Sequence, residues 1–267
     1  MAMHSSPGVF IRRVTVDNLA VEMNTIRALL HRFPVNADED LPPAERYYKL
    51  AKARVDELAV LQLGITLCNN NGRLPVTNTP CGRSVESAWQ VGFSDFDLAS
   101  HQHLNTDALA TLRAAGIDFE DLRARGVPAA VFAVALFEFG IVSAVNHGRL
   151  TWVAFGGLYD FGFLLKILTG GARLPETGEE FAWRLRAYLG NVYDAKYVAT
   201  QLPVAIDPSG GLVSVARLLG APAVAVEEPR QAGEKSLVAC EVFMRMTGLF
   251  FAYHDVAVHV GKIDGLQ

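Results

Sequence analysis

The reactive side chains in this sequence mostly lack the company that catalysis requires. His101 with His103, and His254 with His259, have no Cys or carboxylate at zinc-ligand spacing beside them, so surface or core histidines are the reading. Ser236 has no nucleophile elbow around it. Gly156-Gly157 with Gly162 make neither a G-x-G-x-x-G loop nor a Walker loop, and serine hydrolysis and nucleotide-fold readings fall away together. The carboxylates remain. Asp160 lies in Tyr159-Asp160-Phe161-Gly162 at the head of an apolar run, where local sequence allows it to be the N-cap of a helix. Asp38-Glu39-Asp40, followed by Leu41-Pro42-Pro43, reads locally as a solvated acidic turn.

The elements that must position these groups follow from periodicity. Asp17 precedes Leu19, Met23, Ile26 and Leu30, the spacing of an N-capped amphipathic helix that ends near Phe33-Pro34. A second helix is expected over 44–58. Residues 58–67 are aliphatic and strand-like, Asn69-Asn70-Asn71-Gly72 is a turn signal, and 85–93 is the expected partner strand, with Pro75 and Pro80 lengthening the loop between them. Helical patterns return at 107–115 and 128–139. A short buried strand is expected at 151–155, and helices at 158–168, 179–188, 212–219 and 235–250. The pattern indicates an α/β or α+β core, without internal repeats. Trp89, Trp152 and Trp183 are expected in the core.

Composition narrows the function classes. A chain of 267 residues, 51% of them hydrophobic, can bury a large core, and one domain spanning 1–267 is expected. A net charge of −4 and a pI near 6.0 exclude a generally basic surface, so any nucleic acid would be gripped in a local groove. Cys68, Cys81 and Cys240 have no C-x-x-C spacing and are expected as reduced core filler. His4 to Gly8 interrupt the place where a signal peptide would be apolar. The apolar stretch 128–145 contains Glu138 and is too short for a bilayer span; a buried helix followed by a strand is expected there.

Several collinear segments together carry a family resemblance. They are Asp17-Asn18-Leu19, Gln62-Leu63-Gly64-Ile65-Thr66, Trp89-Gln90 with Phe93 and Phe96, Leu112 to Phe119, and Trp152-Val153 with Tyr159 to Lys166. Leu174-Pro175, Val192-Tyr193-Asp194-Ala195-Lys196, Gly210-Gly211-Leu212 and Gln231-Ala232-Gly233 continue the series. The chain resembles the CAF-type poly(A)-specific ribonuclease, the deadenylase subunit of the CCR-NOT complex, within the DEDD exonucleases. The resemblance runs from about residue 10 to 250. It implies an RNase H-like mixed sheet flanked by helices, and 3′-to-5′ removal of mRNA poly(A) tails with Mg²⁺ or Mn²⁺ as cofactor. It also implies a CCR-NOT scaffold subunit and a partner deadenylase as partners, with poly(A) RNA as ligand. Cytoplasm and nucleus are the implied compartments, with no membrane association.

The family's chemistry uses four acidic residues to hold two metals that activate water and stabilise the scissile phosphate, with a histidine as general base. By resemblance the second-motif aspartate is Asp160. The first motif corresponds to Asp38 and Asp40, across a one-residue deletion and with Asp40 where a glutamate is expected. The last motif is altered. Arg230 stands where the family has its histidine and Lys235 where it has an aspartate, in Arg230-Gln231-Ala232-Gly233-Glu234-Lys235-Ser236. A guanidinium accepts no proton and an ammonium repels a metal. Glu234 falls one residue early and is expected to point elsewhere. Asp194 is read as support for the fold or groove. The resulting expectation is a deadenylase homologue with weak or lost catalysis, or a noncatalytic subunit that binds the scaffold. The strands 58–67, 85–93 and 151–155 are expected to lie side by side, with Asp160 at a strand-to-helix junction. Lys235 is expected to point at Asp160 and make it easier to ionise.

Overall fold

The computed structural model describes residues 41–78, 81–96, 106–143, 149–204, 206–222, 231–251 and 256–267. The expected helix after Asp17, together with Asp38, Asp40 and Arg230, lies outside the described residues.

Helix α1, Pro43–Glu57, starts on prolines whose missing amides cost nothing at a helix start, and it buries Tyr48, Ala51 and Val55 along one stripe. Strand β1, Gln62–Ile65, is followed by a small exposed hairpin, β2 (Val76–Asn78) and β3 (Ser84–Glu86). Strand β4, Trp89–Gly92, then returns antiparallel to β1 with Leu63 opposite Val91. Three helices come next: α2 (Thr106–Ala114), α3 (Phe119–Arg125) and α4 (Ala129–Glu138). Asp118 caps α3 by accepting the amides of Glu120 and Asp121. Strand β5 (Thr151–Ala154), helix α5 (Leu158–Leu168), helix α6 (Gly178–Leu189) and strand β6 (Asn191–Asp194) form one crossover unit. Its strands pair in parallel, Ala154 opposite Asp194. Helices α7 (Ala195–Thr200), α8 (Gly211–Leu218) and α9 (Ala232–Phe250) follow.

The β5–β6 pair lies between two apolar clusters. On one side, Leu158, Phe161, Leu164 and Leu165 of α5 pack with Tyr48 and Val55 of α1 and with Phe181 and Leu185 of α6. On the other, Tyr193 packs with Val198 of α7, Val215 of α8 and Val242 and Met246 of α9. Lys166 joins α5 to the end of α1: its ammonium donates to the carbonyls of Val55, Asp56 and Leu58 at 2.7, 3.0 and 3.0 Å. Those are the orphan carbonyls of a helix C-terminus, where a cation is favoured.

Several expectations from sequence are corrected here. The strand at 58–67 shortens to Gln62–Ile65, because Leu58 still belongs to α1 as its C-cap, its amide donating to Arg54. The range 85–93 divides, since Ser84–Glu86 pairs with Val76–Asn78 and only Trp89–Gly92 pairs with β1. The partner of β5 is β6, not β1 or β4. Helix α4 is only half-buried, with Ala133 and Leu136 inward and Val131, Val134 and Phe137 facing solvent, and no strand lies within residues 139–143. Trp89 and Trp183 are exposed, and so are Cys68 and Cys81. No helix among the described residues is long and apolar enough to cross a membrane.

Candidate functional site

The junction between β5 and α5 is held by Asp194. This residue ends β6, is wholly buried, and directs both carboxylate oxygens at backbone amides. It accepts from Gly156 at 2.8 Å, Gly157 at 2.9 Å, Lys196 at 2.9 Å and Asp264 at 3.0 Å. Burial pushes its pKa up, the four amides pull it down, and the net shift is upward. Gly156 has φ of 72°, a left-handed conformation that glycine adopts without strain. A Cβ on Gly157 would lie 2.7 Å from the Phe161 ring, so any larger residue there would have to displace that buried ring. The Lys196 ammonium pairs with Asp264 and binds the C-terminal segment to the same corner.

Asp160 projects from the first turn of α5, whose N-cap is Gly157. The local alternative, Asp160 as the N-cap itself, is thereby excluded: its carboxylate makes no hydrogen bond or ion pair among the described residues. Protein surrounds it closely enough that desolvation raises its pKa to about 6, with the charge of Asp194 adding to the rise and that of Lys235 opposing it. The side chain is nevertheless exposed to solvent, so Asp160 lies at the surface beside closely packed protein rather than in the core. The expectation that Lys235 would ease its ionisation holds only for the sign of that one contribution; the other two outweigh it.

Lys235 and Glu234 stand in the first turn of α9, and both are exposed. The start of α9 is docked on β1 and β4 by glutamines. Gln62 and Gln90 donate to the Gln231 side-chain oxygen, Gln231 donates to the Gly116 carbonyl at 3.1 Å, and the Gly233 amide donates to Gln90 at 2.9 Å. Gly64 makes this docking possible, since a Cβ there would lie 1.9 Å from the Ala232 carbonyl oxygen. Glu234 is occupied locally: its carboxylate accepts the Gln231 amide at 3.2 Å and completes a capping box with the Gln231 side chain. Gln231 is not one of the Ser, Thr, Asp or Asn residues that mark a helix N-cap in sequence, which is why this role for Glu234 was not legible there. Lys235 comes within electrostatic reach of Asp160, yet no ion pair joins them.

A two-metal site needs several convergent carboxylates with free lone pairs. Among the described residues no group of three or more His, Cys, Asp and Glu side chains is placed to hold a metal ion. Asp194 is saturated by amides and Glu234 is held in its cap, which leaves Asp160 as the uncommitted carboxylate, with a lysine charge acting on it. The described carboxylates do not by themselves supply the ligands of a metal pair, and Asp38 and Asp40 lie outside the described residues. The glutamine lock and the amide clamp of Asp194 were not legible as site architecture in the sequence, because both join residues far apart in the chain.

No family model matches the sequence. The chain is 35% identical over 254 residues to the probable CCR4-associated factor 1 homolog 7 of Arabidopsis thaliana, covering 90% of this chain and 88% of that protein. It is 30% identical over 254 residues to the poly(A) ribonuclease pop2 of Schizosaccharomyces pombe, covering 90% of this chain and 70% of that one. Among solved structures, S. pombe Pop2p in its Mg²⁺- and Mn²⁺-bound form superposes with a TM-score of 0.72 at 27% identity, over 94% of this chain and 97% of that chain. CAF1 co-crystallized with the yeast NOT1 MIF4G domain matches with a TM-score of 0.66 at 27% identity, over 98% of this chain and 100% of that chain. The fold is therefore that of the Pop2/CAF1 RNase domain, a mixed α/β exonuclease fold of the DEDD type. With this level of identity over nearly the whole length, the chain belongs to the CCR4-associated factor 1/Pop2 poly(A) ribonuclease family.

Proposed function

We propose that this chain is a noncatalytic member of that family, which docks on the CCR-NOT scaffold and has lost metal-dependent removal of poly(A). The observation that carries this reading is the commitment of the acidic groups. Asp194 serves four backbone amides, Glu234 serves a helix cap, and Asp160 shares its surroundings with the Lys235 ammonium. A metal at Asp160 competes with that ammonium for one negative charge. Arg230 and Lys235, at positions where the family has a general base and a metal ligand, point the same way. Asp38 and Asp40 stand as the remaining candidates for the first acidic motif.

The test is hydrolysis of oligo(A) in Mg²⁺ or Mn²⁺, together with metal-dependent melting of the purified chain. The wild type is expected to show neither cleavage nor a metal-dependent rise in Tm. The double variant Arg230→His, Lys235→Asp is expected to gain metal stabilisation. Robust wild-type cleavage that disappears in Asp160→Ala overturns the reading.

The scaffold part of the proposal rests on a separate surface. Val131, Val134 and Phe137 of α4, with Phe139 just beyond it, leave large apolar groups in solvent. Phe137 reaches Tyr188 of α6 at 6.4 Å between ring centroids, and Trp183 on α6 is 68% exposed. An apolar face of this kind on adjoining helices fits a protein partner. A pull-down with a NOT1 MIF4G domain is expected to retain this chain, and Val134→Glu with Phe137→Glu is expected to weaken binding at least roughly tenfold, which corresponds to about 1.4 kcal/mol. Unchanged binding by that variant removes this face from the proposal.

A further inference from the structure

Strand β1 and helix α9 run side by side in matched steps. Gly64 meets Ala232, and the Thr66 and Ser236 hydroxyls lie 2.8 Å apart. Two residues of extended chain advance about 6.6 Å and four residues of helix about 6 Å, so each i to i+2 step on the strand side keeps pace with an i to i+4 step on the helix. The step after Thr66 and Ser236 is Cys68 and Cys240. There Cys68 lies close enough to Cys240 to act on its thiol, and neither sulfur is in a disulfide. The bare Cα of Gly64 lets strand and helix approach more closely than packed side chains would, and a disulfide needs Cα atoms only about 4.4–6.8 Å apart.

We propose that Cys68 and Cys240 are an oxidation site, at which a peroxide converts the thiol pair into an intramolecular disulfide that fastens the end of the β1 segment to the middle of α9. Cys68 is exposed and meets the oxidant first. Its thiolate attacks one peroxide oxygen; the O–O bond breaks, an S–O bond forms, and hydroxide leaves and takes up a proton as water. The Cys240 sulfur then attacks the Cys68 sulfur. The S–S bond forms, the S–O bond breaks, and hydroxide leaves as a second water with the Cys240 proton. Two thiols lose two electrons and one hydrogen peroxide is reduced to two waters.

The order of events is set by environment. Burial, followed by the hydrogen bond and charge of Cys68 and the charge of Glu241, pushes Cys240 up to about 12, so it is the poorer first nucleophile. Conversion of Cys68 to an uncharged sulfenic acid removes the part of that rise due to its charge. The bond would then hold the strand and helix that carry Gly64, Gln231 and Lys235 in one register.

The experiment uses the full chain and its Cys81→Ser variant, treated with hydrogen peroxide, then labelled with a maleimide of high mass and separated without reductant. In Cys81→Ser both remaining thiols are expected to disappear at monomer mobility, with the Cys68 and Cys240 peptides linked by mass spectrometry. Tm is expected to rise by roughly 5–10 °C and to return on treatment with dithiothreitol. Cys68→Ser, at an exposed position, is expected to abolish both the link and the shift. Stable sulfenic or sulfinic acid on Cys68 with Cys240 still labelled, or a dimer joined through Cys68, overturns the proposal.

Discussion

Asp160 and Asp194 lie on either side of one strand-to-helix corner, and their surroundings give them opposite tasks. Asp194 is an acceptor for four buried or half-buried amides, so Asp194→Ala leaves donors without partners in a place that water does not replace. The expected loss is about 3 kcal/mol by urea denaturation; a loss below about 1 kcal/mol would mean that the clamp is dispensable. Asp160 binds its proton more tightly in the folded chain than in the unfolded one, with a pKa raised from 3.8 to about 6. Where the folded state holds more protons, stability falls as pH rises, so wild-type stability should decline from about pH 4 through about pH 6 on account of this group. Asp160→Asn carries no such charge. Its Tm relative to wild type should be higher at pH 7.5 than at pH 4, and a pH-independent difference would contradict the assigned environment. Among the described groups these two aspartates differ by no signal of residue type; both occur in Tyr-Asp pairs, Tyr159-Asp160 and Tyr193-Asp194.

At the scale of elements, the contact between β1 and α9 decides where Glu234 and Lys235 sit. Helix α9 begins on a capping box, a local device, yet its position depends on Gly64 in a strand more than a hundred residues earlier. Gly64→Ala places a methyl group into the Ala232 carbonyl, backbone that cannot swing aside as a flexible side chain would. The expected cost is about 2 kcal/mol or more. The crosslink of Cys68 and Cys240 should also diminish in that variant, since the register that aligns them is disturbed. An unchanged Tm would show that α9 docks without the close approach. Helix α5 was readable from sequence to the residue, because an apolar run from Leu158 to Leu168 lies between two glycine turns, with φ of 72° at Gly156 and 68° at Gly170. Strand β6 was not, since Asn191-Val192-Tyr193-Asp194 has only two apolar residues between polar ends, unlike the apolar run of β5.

At the scale of the whole molecule, the C-terminal segment closes the structure onto the Asp194 corner. Gly261 donates to the Val192 carbonyl at 2.9 Å, Ile263 is buried against the α1 and α6 cluster, and Asp264 supplies both an amide to Asp194 and a carboxylate to Lys196. Removing residues 261–267 should cost at least about 3 kcal/mol, from the buried isoleucine together with the orphaned partners. Calorimetry on the shortened chain reads this directly, and a Tm within about 2 °C of the intact chain would show the segment to be peripheral.

The sequence by itself determined the family and the helices with strong apolar stripes. Each of these is written in contiguous residues or in collinear order along the chain. Only the tertiary structure decided that β5 pairs with β6, that the tryptophans Trp89 and Trp183 and the face of α4 are exposed, and that Cys68 meets Cys240. Burial and pairing depend on which surfaces meet across many residues of chain, and an apolar side chain carries the same sequence signal whether a neighbouring element covers it or leaves it open. The same reason separates the two aspartates. A carboxylate becomes a structural acceptor or an open charge according to the amides that the fold brings to it, and those amides belong to residues that local sequence does not place beside it.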